Sequence, residues 1–362
     1  MKIIVNTNKL KSAIRATEHI VGKNIGLPIL NTILFKVEHG QLICSATNLE
    51  IGIQYEVGAK IEKEGEVAVP ARVVSDFIAQ VGDEQVVLTV VKNTLGISSK
   101  GYKTKILGMS PDEFPIIPSV NNGVSISLDS SELKKALMQV VEAVSLSETR
   151  PELGGVYTVV SKKDITFAAT DSFRLSETVI NIHSDDPADC IIPRMTALEM
   201  VRLLDDTGGE VSLIIAPSQV SLRAGGFTLV SRVIDGRYPD YKKVMPSGHQ
   251  ARITLDRGAL ETSVRMGSVF SSSIFDIKLN AQKDSLGIEG QNSERGEISS
   301  VVEGVLEGQP FSISVNYRYL LDGIKVLQYK DIALEYTGEG GPIVLRGQGS
   351  DSQVYIIMPL RQ

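Results

Sequence analysis

The chain has no tryptophan, and it has few other aromatic residues and few cysteines. Aromatic residues make up 5% of its 362 residues, so a platform that stacks the bases of single-stranded nucleic acid is not expected. The two cysteines, Cys44 and Cys190, each stand in an apolar run without a histidine at metal-ligand spacing. This pattern indicates neither a disulfide framework nor a zinc site. We expect both to be small core residues.

Histidine is also scarce, which bears on catalysis. A nucleophile could be imagined at Ser172 beside Asp171, with His183 as its base. No Gly-x-Ser-x-Gly turn surrounds Ser172, so the segment is more typical of a turn than of a hydrolase. The four histidines fall singly in a predicted helix, a turn, a loop and a linker: His19, His39, His183 and His249. We therefore expect no enzyme activity, no cofactor and no metal site.

Long apolar runs are absent too. No stretch of about 18 consecutive apolar residues could span a bilayer, and the first residues lack the pattern of a secretory signal. We expect a soluble, cytoplasmic protein without membrane contact. The formal net charge of −6 argues against nucleic acid as a partner on average, but what matters is where the basic residues lie.

What the chain does have is one pattern three times over. A strand-like Ile-x-Val or Ile-x-Leu leads to two apolar residues at helical spacing, and the three starts are Ile3, Ile126 and Ile253. They lie 123 and then 127 residues apart, which is the size of a whole domain and too long for a solenoid unit. The pattern predicts three similar domains, at residues 1–122, 123–250 and 251–362.

Each copy reads as an internal duplication of strand, helix and several strands. In the first copy, Lys2–Val5 predicts a strand, and Leu10, Ile14 and Thr17 share one face of a helix that ends near residue 20. Short strands follow, and a second strand and helix surround Pro70. The remaining predictions are strands at 32–38, 41–47, 51–59, 86–91, 95–98 and 103–107, and helices at 130–143, 196–205, 257–269 and 317–327. The fold class is α+β, with helices on antiparallel sheet.

Such modules leave unpaired strand edges that neighbouring modules can join. A head-to-tail dimer of three-domain chains would close into a ring of six modules. With twelve helices inside, spaced by about 10 Å, the hole would be roughly 28 Å wide, enough for a nucleic-acid duplex. Basic residues recur on all six predicted helices, with a modest excess over acidic ones, so a surface that contacts phosphates without reading bases is possible.

Short motifs along the whole chain resemble one family, the bacterial sliding clamp or β subunit of the replicative DNA polymerase III. Each motif alone is weak, but their order on a threefold repeat is specific. The motifs begin at Leu27, Ala46, Val69, Phe114, Ala169, Ile192, Gly236, Tyr319 and Met358. The resemblance implies a homodimeric ring that encircles double-stranded DNA regardless of sequence and confers processivity without catalysis. The implied partners are the catalytic subunit of DNA polymerase III, the clamp loader, and other polymerases and repair proteins, which bind through short peptides.

The resemblance also implies a peptide pocket between the second and third domains. Its residues, carried over by motif, are Arg150, Leu153, Thr170, Ser172, Phe173, Arg174, Leu175, Pro239, Lys243, Val244, Asn316, Tyr319, Pro342, Ile356, Met358, Pro359, Leu360 and Arg361. Apolar members would form a soft socket that suits many partners, and the arginines would form a polar rim. Ser172-Phe173 stands where many clamps have Gly-His, and Lys243 where Arg is frequent, which leaves the partner preference open.

Two further surfaces follow from the same resemblance. The dimer contact is expected at Ile106 in the first domain and at Val269 and Phe270 in the third, where exposed apolar residues would suit an interface, although these residues could equally be core. The DNA contacts are expected at Lys23, Asn24, Arg72 and Arg194.

Overall fold

A computed structural model describes residues 1–22, 25–350 and 352–360. Three of the predicted site residues, Lys23, Asn24 and Arg361, lie outside the described residues. The described part of the chain holds 24 strands and six α-helices in one order, which repeats three times. Each repeat consists of a strand, a helix, four strands, a second helix and three more strands. The predicted internal duplication of each copy is therefore confirmed.

The first copy contains the elements β1 (Lys2–Asn6), α1 (Thr7–Glu18), β2 (Thr32–Glu38), β3 (Gln41–Thr47), β4 (Ile51–Lys63), β5 (Glu66–Pro70), α2 (Ala71–Gln80), β6 (Gln85–Val91), β7 (Thr94–Ser98) and β8 (Lys103–Leu107). The second contains β9 (Val124–Asp129), α3 (Ser130–Val140), β10 (Gly155–Val160), β11 (Asp164–Thr170), β12 (Arg174–Asn181), β13 (Ala188–Pro193), α4 (Arg194–Leu204), β14 (Glu210–Ile215), β15 (Gln219–Ala224) and β16 (Phe227–Arg232). The third contains β17 (Ala251–Asp256), α5 (Arg257–Ser268), β18 (Asp276–Gln282), β19 (Ser285–Asn292), β20 (Gly296–Gly308), β21 (Phe311–Asn316), α6 (Tyr317–Val326), β22 (Asp331–Tyr336), β23 (Ile343–Gly347) and β24 (Gln353–Ile357).

The first helix of each copy begins after the same kind of capping residue. Asn6 accepts hydrogen bonds from the backbone N–H groups of the first turn of α1, at 3.0 and 3.1 Å. Asp129 does the same for α3 and Asp256 for α5, at 2.9 and 2.8 Å. A side-chain oxygen at this position satisfies backbone donors that a helix start leaves free. The predicted buried face is confirmed, since Leu10 is 0% and Ile14 2% exposed.

A few boundaries differ from the prediction. Helix α1 ends at Glu18 and not near residue 20, and α4 begins at Arg194, two residues before the predicted start. Strand β4 continues past the predicted end at Ala59 to Lys63, because its second half pairs with β1 while its first half pairs with β3. A strand that changes partners along its length cannot be delimited from local periodicity.

The described residues form two compact units that cross the predicted domain boundaries. Unit 1 comprises residues 1–131 and 202–233, and unit 2 comprises residues 132–201 and 234–362. Each unit is built on antiparallel sheet of twelve strands within the described residues. In unit 1, β16 of the second copy pairs with β4 of the first. In unit 2, β24 of the third copy pairs with β12 of the second. The expectation that sheet edges of neighbouring modules join is confirmed at both places.

Candidate functional site

The predicted pocket residues lie in unit 2, around the pairing of β12 with β24. Leu153, Leu175 and Ile356 belong to one buried cluster and are 1%, 4% and 4% exposed. In the strand register, Leu175 lies opposite Ile356 and Arg174 opposite Ile357. The pairing therefore places residues of the second and third copies next to each other, as the pocket requires.

A tight turn between β11 and β12 shapes the rim. The Asp171 carboxylate oxygen Oδ1 accepts the backbone N–H groups of Phe173 and Arg174 at 2.9 and 3.0 Å. Thr170 accepts the N–H of Ser172 at 3.1 Å, and Ser172 takes the left-handed conformation with φ of 77°. Polar side chains that bond to their own backbone stabilise turns of this kind. The turn holds Phe173 out of the core, with 60% of it exposed.

The guanidinium of Arg174 links the two copies. Its Nε donates to Asp171 at 3.0 Å, and one terminal nitrogen donates to Asp322 on α6 and to the Tyr355 hydroxyl at 3.3 Å. The same group lies 4.7 Å from the centre of the Tyr319 ring, which is a cation–π contact. Burial alone would lower the pKa of Arg174, but Tyr355, Asp171 and Asp322 together raise it. Arg174 is therefore a fixed charge of the pocket wall.

The C-terminal segment is bound to the same wall by its backbone. Met358 donates its N–H to the Phe173 carbonyl at 2.8 Å, and Leu360 donates to the Ser314 carbonyl at 2.9 Å. Met358 is 41% exposed. The segment is therefore held in place through Leu360 and does not behave as a frayed tail.

The other predicted pocket residues lie on neighbouring loops, in a short 3-10 turn and at the end of β21. Arg150 donates to Glu152 at 3.1 Å and to Ser172 at 3.4 Å, and Lys243 pairs with Asp240 at 3.0 Å. Val244 ends a short 3-10 turn and is 65% exposed. Asn316 caps α6 and accepts the Arg318 N–H at 2.9 Å. The Pro342 carbonyl accepts the Thr337 hydroxyl at 2.6 Å. Pro359 follows Met358 in the segment after β24.

Residues that the motif comparison missed hold this wall together. Asp322 and Tyr355 fix Arg174, and three tyrosines pack beneath the linker before the third copy. Tyr157 and Tyr238 stack with their ring centres 4.7 Å apart, and Tyr241 meets both edge-on. The Tyr238 hydroxyl accepts the Thr170 N–H at 3.0 Å. The repeated aromatic-proline pair marks Tyr238 in the sequence. The residues that it and Arg174 contact lie far away along the chain, so no signal in the sequence marks them.

The alternative of a hydrolase at Ser172 does not fit this geometry. The Asp171 carboxylate already accepts hydrogen bonds from the backbone of its own turn and from Arg174. His183 lies within 3.7 Å of Asp185 in a loop where both side chains are largely exposed. Neither arrangement provides a base for the Ser172 hydroxyl. Among the described residues no group of three or more potential ligands is placed to hold a metal ion.

The predicted dimer and DNA residues fall into different environments. Ile106 is 5% exposed and packs in the core of unit 1, which matches the alternative that it is a core residue, and strand alternation exposes Leu107, at 77%. A dimer contact at this strand stays a prediction. In unit 2, Val269 is 58% exposed at the end of α5, and Phe270 is half-buried.

Of the two described DNA candidates, one is free of strong contacts and one is not. Arg72 in the first turn of α2 has an 82% exposed side chain and a loose 3.7 Å pair with Asp76. Arg194 has a 27% exposed side chain and lies 3.5 Å from Glu142. Arg72 also lines an open cleft of about 810 Å³ in unit 1, together with Arg15.

Comparison with known proteins shows the family of the chain. Three family models for the DNA polymerase III beta subunit match the chain: the N-terminal domain at residues 1–118, the central domain at 127–240 and the C-terminal domain at 242–361. The chain belongs to the DNA polymerase III beta subunit family. This family is the bacterial sliding clamp, a non-catalytic processivity subunit that works with DNA and a polymerase.

Individual relatives agree over the full length. The beta sliding clamp of Staphylococcus aureus is 25% identical over 374 residues, covering 100% of this chain and 99% of that protein. The DNA polymerase III beta subunit of Thermotoga maritima is 27% identical with a TM-score of 0.94, covering 100% and 99% of the two chains. A sliding clamp from Bartonella birtlesii bound to griselimycin is 25% identical with a TM-score of 0.93, covering 100% of both. Among the described residues no helix is long and apolar enough to cross a membrane.

Proposed function

We propose that two copies of this chain close head to tail into a ring around duplex DNA, and that the unit 2 pocket captures short peptides of the polymerase and other partners. The division into domains at 1–122, 123–250 and 251–362 belongs to this proposal, as does residence in the cytoplasm. The compact units cross these boundaries because β4–β16 and β12–β24 pairing makes each sheet continuous.

The observation that supports the dimer is that two strand edges, which pair in the other copies of the repeat, have no such partner in the described part of the chain. The last strand of the second copy, β16, pairs with β4, and the last strand of the third, β24, pairs with β12. Strands β4, β12 and β20 hold the same place in their copies. Among the described residues, the last strand of the first copy, β8, pairs only with β7, and residues 296–303 of β20 pair only with β19. The repeat is completed when β8 of one copy pairs with β20 of another.

Charge supports this pairing. Strand β8 carries Lys103 and Lys105, whereas β20 carries Glu297, Glu303 and Glu307. Exposed edges are otherwise a template for aggregation, and opposite charges favour one specific partner. Because two β8–β20 contacts use both edges of both chains, the assembly is closed.

For DNA, we propose phosphate contacts from Arg72 and its neighbours in the unit 1 cleft, and from Lys23 and Asn24. Arg194 is a weaker candidate because its guanidinium already lies beside Glu142. Contacts of this type do not read sequence, and they weaken as salt rises because counterions are released. A closed ring would keep its DNA even when these contacts are screened.

For partner peptides, we propose that an apolar side chain enters between Phe173, Val244 and Met358. These residues are 60%, 65% and 41% exposed, while the cluster beneath them is buried. Arg150, with a 49% exposed side chain, lies at the rim and is placed to meet a carboxylate or carbonyl of the peptide. An exposed apolar patch with a polar rim is typical of a protein-binding site.

A crosslink tests the ring. The register of the other two junctions places Thr104 opposite Ile298 of the second copy, so a Thr104→Cys, Ile298→Cys variant should form a covalent dimer with a short bismaleimide. The native Cys44 and Cys190 are 0% and 7% exposed and should not react. The control is Thr104→Cys with Glu307→Cys, nine residues along the strand and about 30 Å away.

The crosslinked ring is then loaded onto nicked circular DNA and washed in high salt. We expect it to stay on the circle and to slip off after the circle is cut. A covalent dimer that leaves circular and linear DNA equally would refute encirclement, and equal crosslinking of the control would refute the β8–β20 register.

A further inference from the structure

The first copy carries a cavity that is separate from the cleft lined by Arg72. It lies in unit 1 between β2, β3 and the segment after β8, and its volume is about 250 Å³. Leu34 and Phe114 line it and both pack against a small buried cluster of Ile29, Leu30 and Ala68. Ile116, which is 94% exposed, also lines it. The polar residues around it are Lys36, Glu38, Ser45, Gln54 and Glu66.

Strand register identifies the same place in the second copy. Leu34 lies opposite Ser45, and Ser45 opposite Gln54. In the second copy, Tyr157 lies opposite Ala168, and Ala168 opposite Glu177. Leu34 therefore corresponds to Tyr157, and Gln54 to Glu177. By the same pairing Glu66 corresponds to Asp189, and the segments at Phe114 and Tyr238 correspond through their shared proline.

In the second copy this place is filled by aromatic rings with satisfied hydroxyls. Tyr157, Tyr238 and Tyr241 pack ring against ring. Tyr241 donates to Glu177 at 2.5 Å, and Tyr157 donates to Asp189 at 3.3 Å. Buried tyrosines need such a partner for the hydroxyl. The chain itself thus shows which side-chain chemistry this kind of groove accepts.

In the first copy two of the three rings are missing, and Phe114 keeps the third without its hydroxyl. Of the two acceptors, Glu66 keeps the carboxylate of Asp189, whereas Gln54 replaces Glu177. Leu34 replaces Tyr157, and Ile117 replaces Tyr241. The Ile117 side chain lies close to Gly52. A Cβ on Gly52 would lie 2.7 Å from the Ile117 Cγ2, so this isoleucine fills the space that a side chain at Gly52 would need. The groove is left open, and the Glu66 carboxylate has no hydrogen-bond or ion-pair partner among the described residues.

We infer that this cavity binds a tyrosine side chain of a partner protein, with the ring against Leu34 and Phe114 and the hydroxyl donating to Glu66. A charged acceptor strengthens such a hydrogen bond relative to a neutral one. The exposed Ile116 adds apolar contact. This site is distinct from the proposed peptide pocket, which lies in unit 2, so either can exist without the other.

The test uses p-cresol, which is the tyrosine side chain as a free molecule, on the full chain with labelled isoleucine and leucine methyl groups. We expect saturable shifts of the Leu34, Ile43, Ile116 and Ile117 methyl signals, with a dissociation constant on the order of 1 mM for so small a ligand. 4-Fluorotoluene has no donor and should bind about tenfold more weakly, and a Glu66→Gln variant should lose about fivefold in p-cresol affinity.

Two variants close the cavity with the residues found in the second copy, Leu34→Tyr and Ile117→Tyr. Each should abolish the shifts while its thermal unfolding stays close to that of the parent chain, and the second variant serves if the first does not fold. The inference is overturned if p-cresol shifts none of the four methyl signals. It is overturned equally if both folded variants still bind, or if p-cresol and 4-fluorotoluene bind alike.

Discussion

Replacing Arg174 with alanine should destabilise unit 2 more than any other change at the pocket surface. Its side chain is 12% exposed and contacts Asp171, Asp322 and the hydroxyl of Tyr355. Removing one partner of a buried charge pair costs about 3–5 kcal/mol. Because the Asp322 side chain is 37% exposed, water can replace part of the lost interaction. We therefore expect a loss of about 2–4 kcal/mol in the free energy of unfolding.

Differential scanning calorimetry suits this measurement, since the chain has no tryptophan to report unfolding by fluorescence. For a unit of this size, 3 kcal/mol corresponds to a fall of about 6–12 °C in the melting temperature. Arg174→Lys should recover only part, because an ammonium cannot reproduce the geometry of the guanidinium fork.

Arg150→Ala is the matched control. Its side chain is 49% exposed, and it should change stability by less than about 0.5 kcal/mol while weakening a bound peptide. A melting temperature of Arg174→Ala within about 2 °C of the parent would mean a loss below about 1 kcal/mol and would contradict the role given to this residue. An equal fall for Arg150→Ala would show that the effect does not come from the buried contacts.

Three other outcomes follow from the structure. Val244→Asp should weaken peptide binding at least about tenfold with little change in stability. Val120, at the equivalent position of the first junction, is 3% exposed, so Val120→Asp should lower the free energy of unfolding by about 3 kcal/mol or more. Peptide titration measures the first effect and calorimetry the second. Gly323→Ala should destabilise by about 1–3 kcal/mol in spite of the better helix propensity of alanine, because the new Cβ would lie 2.6 Å from the Tyr355 ring; a rise in melting temperature would contradict this. Burial first, and then a hydrogen bond to a carboxylate, raise the pKa of Tyr241 above its ordinary value near 10. The Tyr241 hydroxyl therefore contributes its full stabilisation below about pH 10, and this stabilisation is lost as the pH rises further. In alkaline unfolding followed by phenolate absorbance, the Tyr241→Phe variant should lose less stability above about pH 10 than the parent chain.

The sequence predicted the repeat well because the repeat lies in local periodicity. The helix face of Leu10 and Ile14 and the strand at residues 32–38 are set by alternation and spacing within single elements. The family resemblance grouped Leu153, Leu175 and Ile356, and these three meet in one buried cluster, while their role in a peptide pocket stays a prediction. The helix face and the strand, by contrast, concern residues that are close together in the chain.

What the sequence could not predict depends on pairing between distant segments. Asp322 and Tyr355 meet Arg174 across 148 and 181 residues, and no periodicity marks such a contact. The sequence leaves the environment of Ile106 open for a related reason. The side of a strand that faces the core depends on its register, and a shift by one residue exchanges the two faces.

The three equivalent junctions explain how one repeat yields different surfaces. Asn48, Asp171 and Asn292 each accept two backbone N–H groups of the turn that follows them, so all three copies make the same turn. The residue that enters the next strand then differs. In the first copy this residue is Ile51, which is buried. In the second copy it is Arg174, which pairs with Asp171 and Asp322.

The linkers diverge in the same way. Val120 is buried in the first junction, whereas Val244 stands exposed in the second. The first junction is thereby sealed by its own linker. The second leaves an apolar surface exposed, where we propose that a peptide binds, and in the third, residues 296–303 of β20 pair with β19 on one side only within the described residues, where we propose that another copy of the chain binds. A single duplicated module can therefore supply an internal joint, a binding pocket and a subunit interface, because only the few side chains at each junction need to change.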